Sequence, residues 1–112
     1  MLALGEISYY ILMNYDDFYE VLEQLENTVK IRLCGNEHPI FKAHFPTQPI
    51  LPGFVHFDLI EKLFSLDIQT IKKAKFIEMI LPNEELRYER KENSFKVFNA
   101  QKEVANFSIQ TI

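Results

Sequence analysis

A single α+β domain with an antiparallel sheet is the fold class this sequence predicts, on three observations. The longest helical candidate, residues 54–66, spreads Val55, Phe57, Leu59, Ile60, Leu63 and Phe64 over a broad apolar face and leaves Asp58, Glu61, Lys62 and Ser65 on a narrow polar one. Four segments of strand-like composition follow, residues 70–81, 85–90, 94–99 and 104–111, separated by Pro82-Asn83, by Glu92-Asn93 and by residues 100–102. Ahead of the helix, residues 28–34 alternate, with Val29, Ile31 and Leu33 on one face and Lys30, Arg32 and Cys34 on the other. One long helix followed by a run of strands is an α+β pattern, and the breadth of the apolar face makes that helix the buried one.

The remaining elements lie near the N-terminus. Residues 7–13 form an apolar and aromatic run that reads as a strand, and Asn14, Asp16 and Asp17 interrupt it too soon for it to cross a bilayer. The pair Asp16-Asp17 suits a helix start, and Phe18, Val21, Leu22 and Leu25 recur at helical spacing, so a helix is expected there. At 112 residues, with no low-complexity tract, Gly/Ser linker or internal repeat, the chain reads as one domain covering residues 1–112.

Composition narrows the function classes. A chain that is 47% hydrophobic, 13% aromatic and 25% charged reads as soluble and globular. A net charge of −4, from 12 basic against 16 acidic residues, argues against a nucleic-acid surface, which needs clustered positive charge. Cys34 is the single cysteine and cannot form an internal disulfide, which agrees with a reducing compartment. Residues 1–6 carry no basic leader, and a cytoplasmic location is expected.

The most informative stretch runs His44-Phe45-Pro46-Thr47-Gln48-Pro49-Ile50-Leu51-Pro52-Gly53, with Asp58 five residues after Gly53. Each proline fixes its own φ and biases its predecessor toward extended conformations, so Pro46, Pro49 and Pro52 stiffen the path from His44 to the helix. The order His-Phe-Pro-x-x-Pro-Ile-Leu-Pro-Gly-x-x-x-x-Asp resembles the active-site segment of the 3-hydroxyacyl-acyl-carrier-protein dehydratases. Residues 74–84, with Phe76 and Pro82, resemble that family's strand and Pro-containing turn, and the similarities together span residues 38–90. The chain departs from the family at Ala43 and Thr47, where Gly is usual, and at Lys62, where Gln is usual.

The resemblance implies a hotdog fold, an antiparallel sheet wrapped around one long central helix. It implies His44 and Asp58 as the catalytic pair, the His of one subunit meeting the acid of another. It also implies a homodimer or larger assembly, an acyl-thioester substrate on acyl carrier protein or on CoA, a role in fatty acid biosynthesis, and no cofactor or metal. The chemistry explains the residue types. Dehydrating a 3-hydroxyacyl thioester needs a base for the α-proton, a donor for the departing hydroxyl and a holder for the developing oxyanion. A histidine, with its ordinary pKa of about 6.5, suits the first task, and a carboxyl raised by an apolar setting suits the second. The N–H groups around Gly53 and Phe54, at the open positive end of the helix, suit the third. Pro52 and Phe45 would line the substrate site. A thioesterase on the same fold and a non-catalytic acyl-binding or assembly subunit are the alternative readings.

Other signals are weaker. Cys34, His38 and His44 have a loosely metal-like spacing without a fourth ligand or a Cys-x-x-Cys pair, so no zinc site is expected. His56 falls on the apolar face of the helix, where a hydrogen-bonded core histidine is expected, its partner unnamed by the sequence. Lys72, Lys73 and Lys75 form a basic patch that either receives a carrier's phosphate or is a solvated strand end.

Overall fold

The computed structural model describes residues 18–42 and 49–112, and the strand expected at residues 7–13 lies outside them. Strands β1 (Tyr19–Gln24) and β2 (Thr28–Leu33) come first, followed by a short helix α1 (Pro39–Lys42) and the main helix α2 (Val55–Phe64). Strands β3 (Ile68–Phe76), β4 (Glu85–Lys91), β5 (Ser94–Asn99) and β6 (Lys102–Thr111) complete the chain. The six strands make one antiparallel sheet in the order β1-β2-β4-β5-β6-β3. Among the described strands, the one directly after the main helix therefore lies at one edge of the sheet, and β1 lies at the other.

One face of the sheet meets α2. Val29, Ile31 and Leu33 of β2, Leu86 and Tyr88 of β4, Phe95 and Val97 of β5, and Ala105, Phe107 and Ile109 of β6 turn inward one residue in two. Against them α2 lays Val55, Leu59, Ile60 and Leu63, the face expected from the sequence. Phe57 meets Phe107 with ring centroids 5.0 Å apart and Phe64 meets Phe95 at 5.3 Å, both edge to face. At about 1.5–3 kcal/mol for each large apolar side chain buried, this seam holds the helix in place. The helix stops at Ser65, which takes a left-handed φ of 55°. The Glu61 carboxylate then accepts the Ile68 N–H at 2.8 Å and fastens the start of β3.

Two expectations need correction. The helix expected at residues 18–25 is strand β1, paired with β2 from Tyr19 opposite Leu33 to Gln24 opposite Val29. Its register shifts between Val21 and Glu23, so Leu22 is the extra residue of a β-bulge. Of the residues whose spacing suggests a helix, Phe18 is buried just before β1 and Leu22 is half-buried at the bulge, whereas Val21 and Leu25 are exposed, so the four share no apolar face. The strand expected at 70–81 ends at Phe76. There the Ile77 and Glu78 N–H groups both donate to the Val104 carbonyl, at 2.8 and 3.2 Å, and the chain leaves β6. The short helix α1 opens on His38, whose Nδ1 accepts the Ile40 N–H at 3.1 Å.

Candidate active site

The segment that diverges from β6 turns toward the loop before α2. The Ile80 carbonyl accepts the Leu51 N–H at 2.7 Å, and this bond ties residues 77–80 to the proline-rich approach to the helix. Leu51 and Pro52 are buried. The helix opens with tight three-residue bonds: Val55 N–H to the Pro52 carbonyl at 3.1 Å, His56 N–H to Gly53 at 3.2 Å and Phe57 N–H to Phe54 at 3.2 Å. Phe54 occupies the N-cap position without a side-chain cap. The stiff Pro-Ile-Leu-Pro-Gly run thus delivers the positive end of α2 to a fixed place.

Gly53 is glycine because of what lies on it. A Cβ there would sit 2.9 Å from Cε1 and Cζ of the Phe76 ring, so only a residue without one allows that ring to close over the helix start. Phe76, half-exposed, also stacks on His56 with centroids 6.1 Å apart and an interplanar angle of 20°. Beside these groups lies an open cleft of about 360 Å³, bounded by Ile50, Leu51, Gly53 and His56 on the helix side and by residues 76–80 on the other. Its walls are mostly apolar, and its volume suits a short acyl chain.

Asp58 sits in the first turn of α2 and is half-buried. Burial, and then the neighbouring Glu61, push its carboxyl up to about 6, against an opposing pull from Lys62. It is not part of the cleft wall of its own chain. It lies two positions after His56, which places the two side chains on nearly opposite sides of the helix.

His56 is the core histidine expected from the sequence, and its partner is Tyr88 of β4. The His56 Nδ1 and the Tyr88 hydroxyl oxygen are 2.7 Å apart, and both side chains are buried. Burial holds the imidazole neutral by pushing its pKa down to about 3, and raises the Tyr88 phenol. Its place in the cleft wall was not legible in the sequence, although the inward alternation of Leu86 and Tyr88 along β4 marks Tyr88 as a core residue.

The structure thus brings together Pro52, Gly53, His56 and Phe76. Phe54 adjoins them at the helix start, and Asp58 faces elsewhere. His44 and Phe45 lie outside the described residues. Lys72, Lys73 and Lys75 are exposed on β3, where Lys73, opposite Ser108, and Lys75, opposite Asn106, lie on the sheet face away from α2 and Lys72 falls at a register shift. His38 caps α1, and among the described residues no cluster of three His, Cys, Asp or Glu is placed to hold a metal. No helix among the described residues is long and apolar enough to cross a membrane.

Comparison with known proteins completes the picture. The profile of the ApeI-like family, described as ApeI dehydratase, matches residues 22–110. No curated protein matches the chain. Among solved structures, the dehydratase heterocomplex ApeI:P from Xenorhabdus doucetiae is similar at a TM-score of 0.64 and 20% identity, covering 86% of this chain and 97% of that one. The E. coli PaaI protein from the phenylacetic acid degradation operon has a TM-score of 0.58 at 12% identity, covering 96% and 92%. Thioesterase superfamily member 2 of Mus musculus has 0.55 at 9%, covering 99% and 98%. At these identities the likenesses establish the fold, which is the hotdog fold expected from the motif.

Proposed function

We propose, on the premise that this chain belongs to the ApeI-like dehydratase family, that it removes water from a 3-hydroxyacyl thioester to give the trans-2-enoyl thioester. The observation that carries the proposal is the apolar cleft at the open N-terminus of α2, bordered by Gly53 and preceded by the His44-to-Pro52 motif. His44 accepts the α-proton, and charge builds on the thioester carbonyl oxygen. The Gly53 N–H, which makes no hydrogen bond among the described residues, is available to that oxygen. Asp58 gives its proton to the 3-hydroxyl as the C–O bond breaks, and water leaves. The proton held by His44 then returns to solvent, and Asp58 is reprotonated from it. A carboxyl poised near 6 suits this duty, because an acid works best with a pKa close to the operating pH.

Asp58 does not line the cleft beside its own Gly53, which supports a site that draws its acid from a second subunit. The edge strand β3 and the segment after it expose Ile71, Phe76, Ile77 and Met79, an apolar border on a sheet edge that no other strand among the described residues pairs with. This edge pairs with a second copy of the chain, giving a homodimer with two composite sites. The ApeI:P structure is a heterocomplex, so a related subunit is the competing occupant. The acyl group arrives on acyl carrier protein or CoA, and the setting is fatty-acid-type biosynthesis in the cytoplasm. The test is appearance of the conjugated enoyl thioester from a 3-hydroxyacyl thioester and its loss in His44→Ala. Release of free thiol would instead indicate a thioesterase.

A further inference from the structure

His56 is a buried polar side chain for which the proposed reaction, as written above, has no use. It is 2% exposed, yet it forms part of the cleft wall. Its Nδ1 is taken by the Tyr88 hydroxyl at 2.7 Å, and its Nε2 makes no hydrogen bond among the described residues. The direction of the Nδ1 bond follows from satisfaction of the tyrosine. Tyr88 is fully buried, and its hydroxyl finds no other acceptor among the described residues. If Nδ1–H were the donor, the phenolic hydrogen would be left unpaired, at about 1–3 kcal/mol. Tyr88 therefore donates, Nδ1 accepts, and the neutral ring carries its hydrogen on Nε2.

His56 lines the cleft, and its place along the helix brings its ring toward Gly53. Residues 53 and 56 are three apart, and helical side chains lean over the turn that precedes them, so the His56 ring covers the turn that begins at Gly53. The stacked Phe76 ring touches both residues and holds the imidazole plane. Phe107 flanks the ring as well, 5.3 Å away. Two N–H donors, one from the Gly53 backbone and one from His56, border one apolar cleft.

We propose that His56 Nε2–H is the second donor to the thioester carbonyl oxygen, completing with the Gly53 N–H a two-point oxyanion site whose tautomer is set by Tyr88. The proposal rests on the acyl-thioester reading of the cleft. A neutral donor of this kind strengthens as charge develops on the oxygen and needs no reorganisation. Tyr88 acts through His56 and is a positioning residue.

The test begins with the unmutated protein. Nitrogen-15 spectra of labelled histidine, with only three His to assign, should show His56 protonated at Nε2 and unprotonated at Nδ1. Adding a saturated short-chain acyl thioester, which cannot be hydrated, should move the Nε2–H proton downfield. The carbon-13 carbonyl signal of the bound thioester should move downfield with it. In His56→Phe most of that carbonyl shift should vanish and kcat for enoyl hydration should fall about 10²-fold with little change in KM. His56→Gln, which keeps an N–H donor, should recover part of both. Protonation at Nδ1, an Nε2–H signal indifferent to the thioester, or an undiminished carbonyl shift in His56→Phe would overturn the proposal. If the shifts depend on His56 but enoyl thioesters are not hydrated, the donor site stands and the dehydratase reading falls.

Discussion

Replacing Asp58 with Asn should make the protein more stable at neutral pH while disabling the reaction, and the size of the gain follows from where the carboxylate sits. Its pKa rises from 3.8 in the unfolded chain to about 6 in the folded one, chiefly because burial disfavours the charged form. Between those values the folded state binds more protons than the unfolded state, so stability falls as pH rises through the window. Above about 6 the full penalty is present, and below 3.8 it is gone. At 1.36 kcal/mol per unit the undiscounted penalty is about 3 kcal/mol. The side chain is half open to solvent, whose screening reduces the figure to roughly 1 kcal/mol. Asparagine keeps the shape and carries no charge. Asp58→Asn should therefore melt about 3–5 °C higher than wild type at pH 7.5 and at the same temperature below pH 3.8. Melting curves at one fixed protomer concentration across that pH range make the comparison, since assembly contributes to apparent stability. A mutant no more stable than wild type at pH 7.5, or one whose advantage grew toward acid, would refute the burial argument. The same mutant should hydrate enoyl thioesters at well under a hundredth of the wild-type rate, because in this direction the carboxylate must take a proton from the attacking water and the amide cannot.

Three further outcomes are expected. Gly53→Ala should leave the melting temperature almost unchanged, since the Phe76 ring that its Cβ would strike at 2.9 Å is half-exposed and able to swing aside, but it should raise KM by distorting the cleft; a KM equal to wild type would show that the Phe76 contact does not shape the site. Ile71→Glu places a charge on the exposed edge of β3, away from the cleft, and should weaken the dimer at least tenfold in sedimentation equilibrium, whereas an unaltered association constant would move the interface elsewhere. Mixing His44→Ala with Asp58→Asn chains should restore activity as subunits exchange, one composite site in each heterodimer being intact; no recovery despite demonstrated exchange would place base and acid in one chain.

The parts of the fold legible in the sequence are those in which one periodicity holds without interruption. Residues 28–34 alternate because β2 lies inside the sheet with one face on the core, and β2 ends within a residue of where alternation stops. The apolar face of α2 is broad because sheet residues lie against it: Val55, Leu59, Ile60 and Leu63 are buried as the pattern predicts, while Phe57 and Phe64 are half-buried at its margins. β1 escapes the reading because Val21 and Leu25, which complete the helical spacing with Phe18 and Leu22, are exposed, and the bulge at Leu22 breaks the alternation that would mark a strand. The end of β3 was misread because Ile77, Met79 and Leu81 continue a strand-like composition, whereas hydrogen bonds to Val104 and Leu51 pull the backbone out of the ladder. Those bonds are tertiary and leave no local trace. Pro52 and Gly53, singled out by their order along the chain, stand at the start of α2 beside the cleft, whereas Asp58 faces away from it, and glycine at 53 gains its reason from a ring 23 positions later. The role of His56 was legible only as a core residue, because its partner Tyr88 lies on another element, 32 positions away.

The measurement that bears most directly on the proposed reaction is where the oxygen of water goes. The protein is given a trans-2-enoyl thioester in heavy-oxygen, deuterated water, and the products are analysed by mass spectrometry alongside those of His44→Ala. The account predicts an intact thioester carrying the heavy oxygen at carbon 3 and deuterium at carbon 2, with no labelled product from the mutant. Heavy oxygen found in the carboxylate of a released free acid, or label at carbon 3 formed equally well without His44, would contradict it.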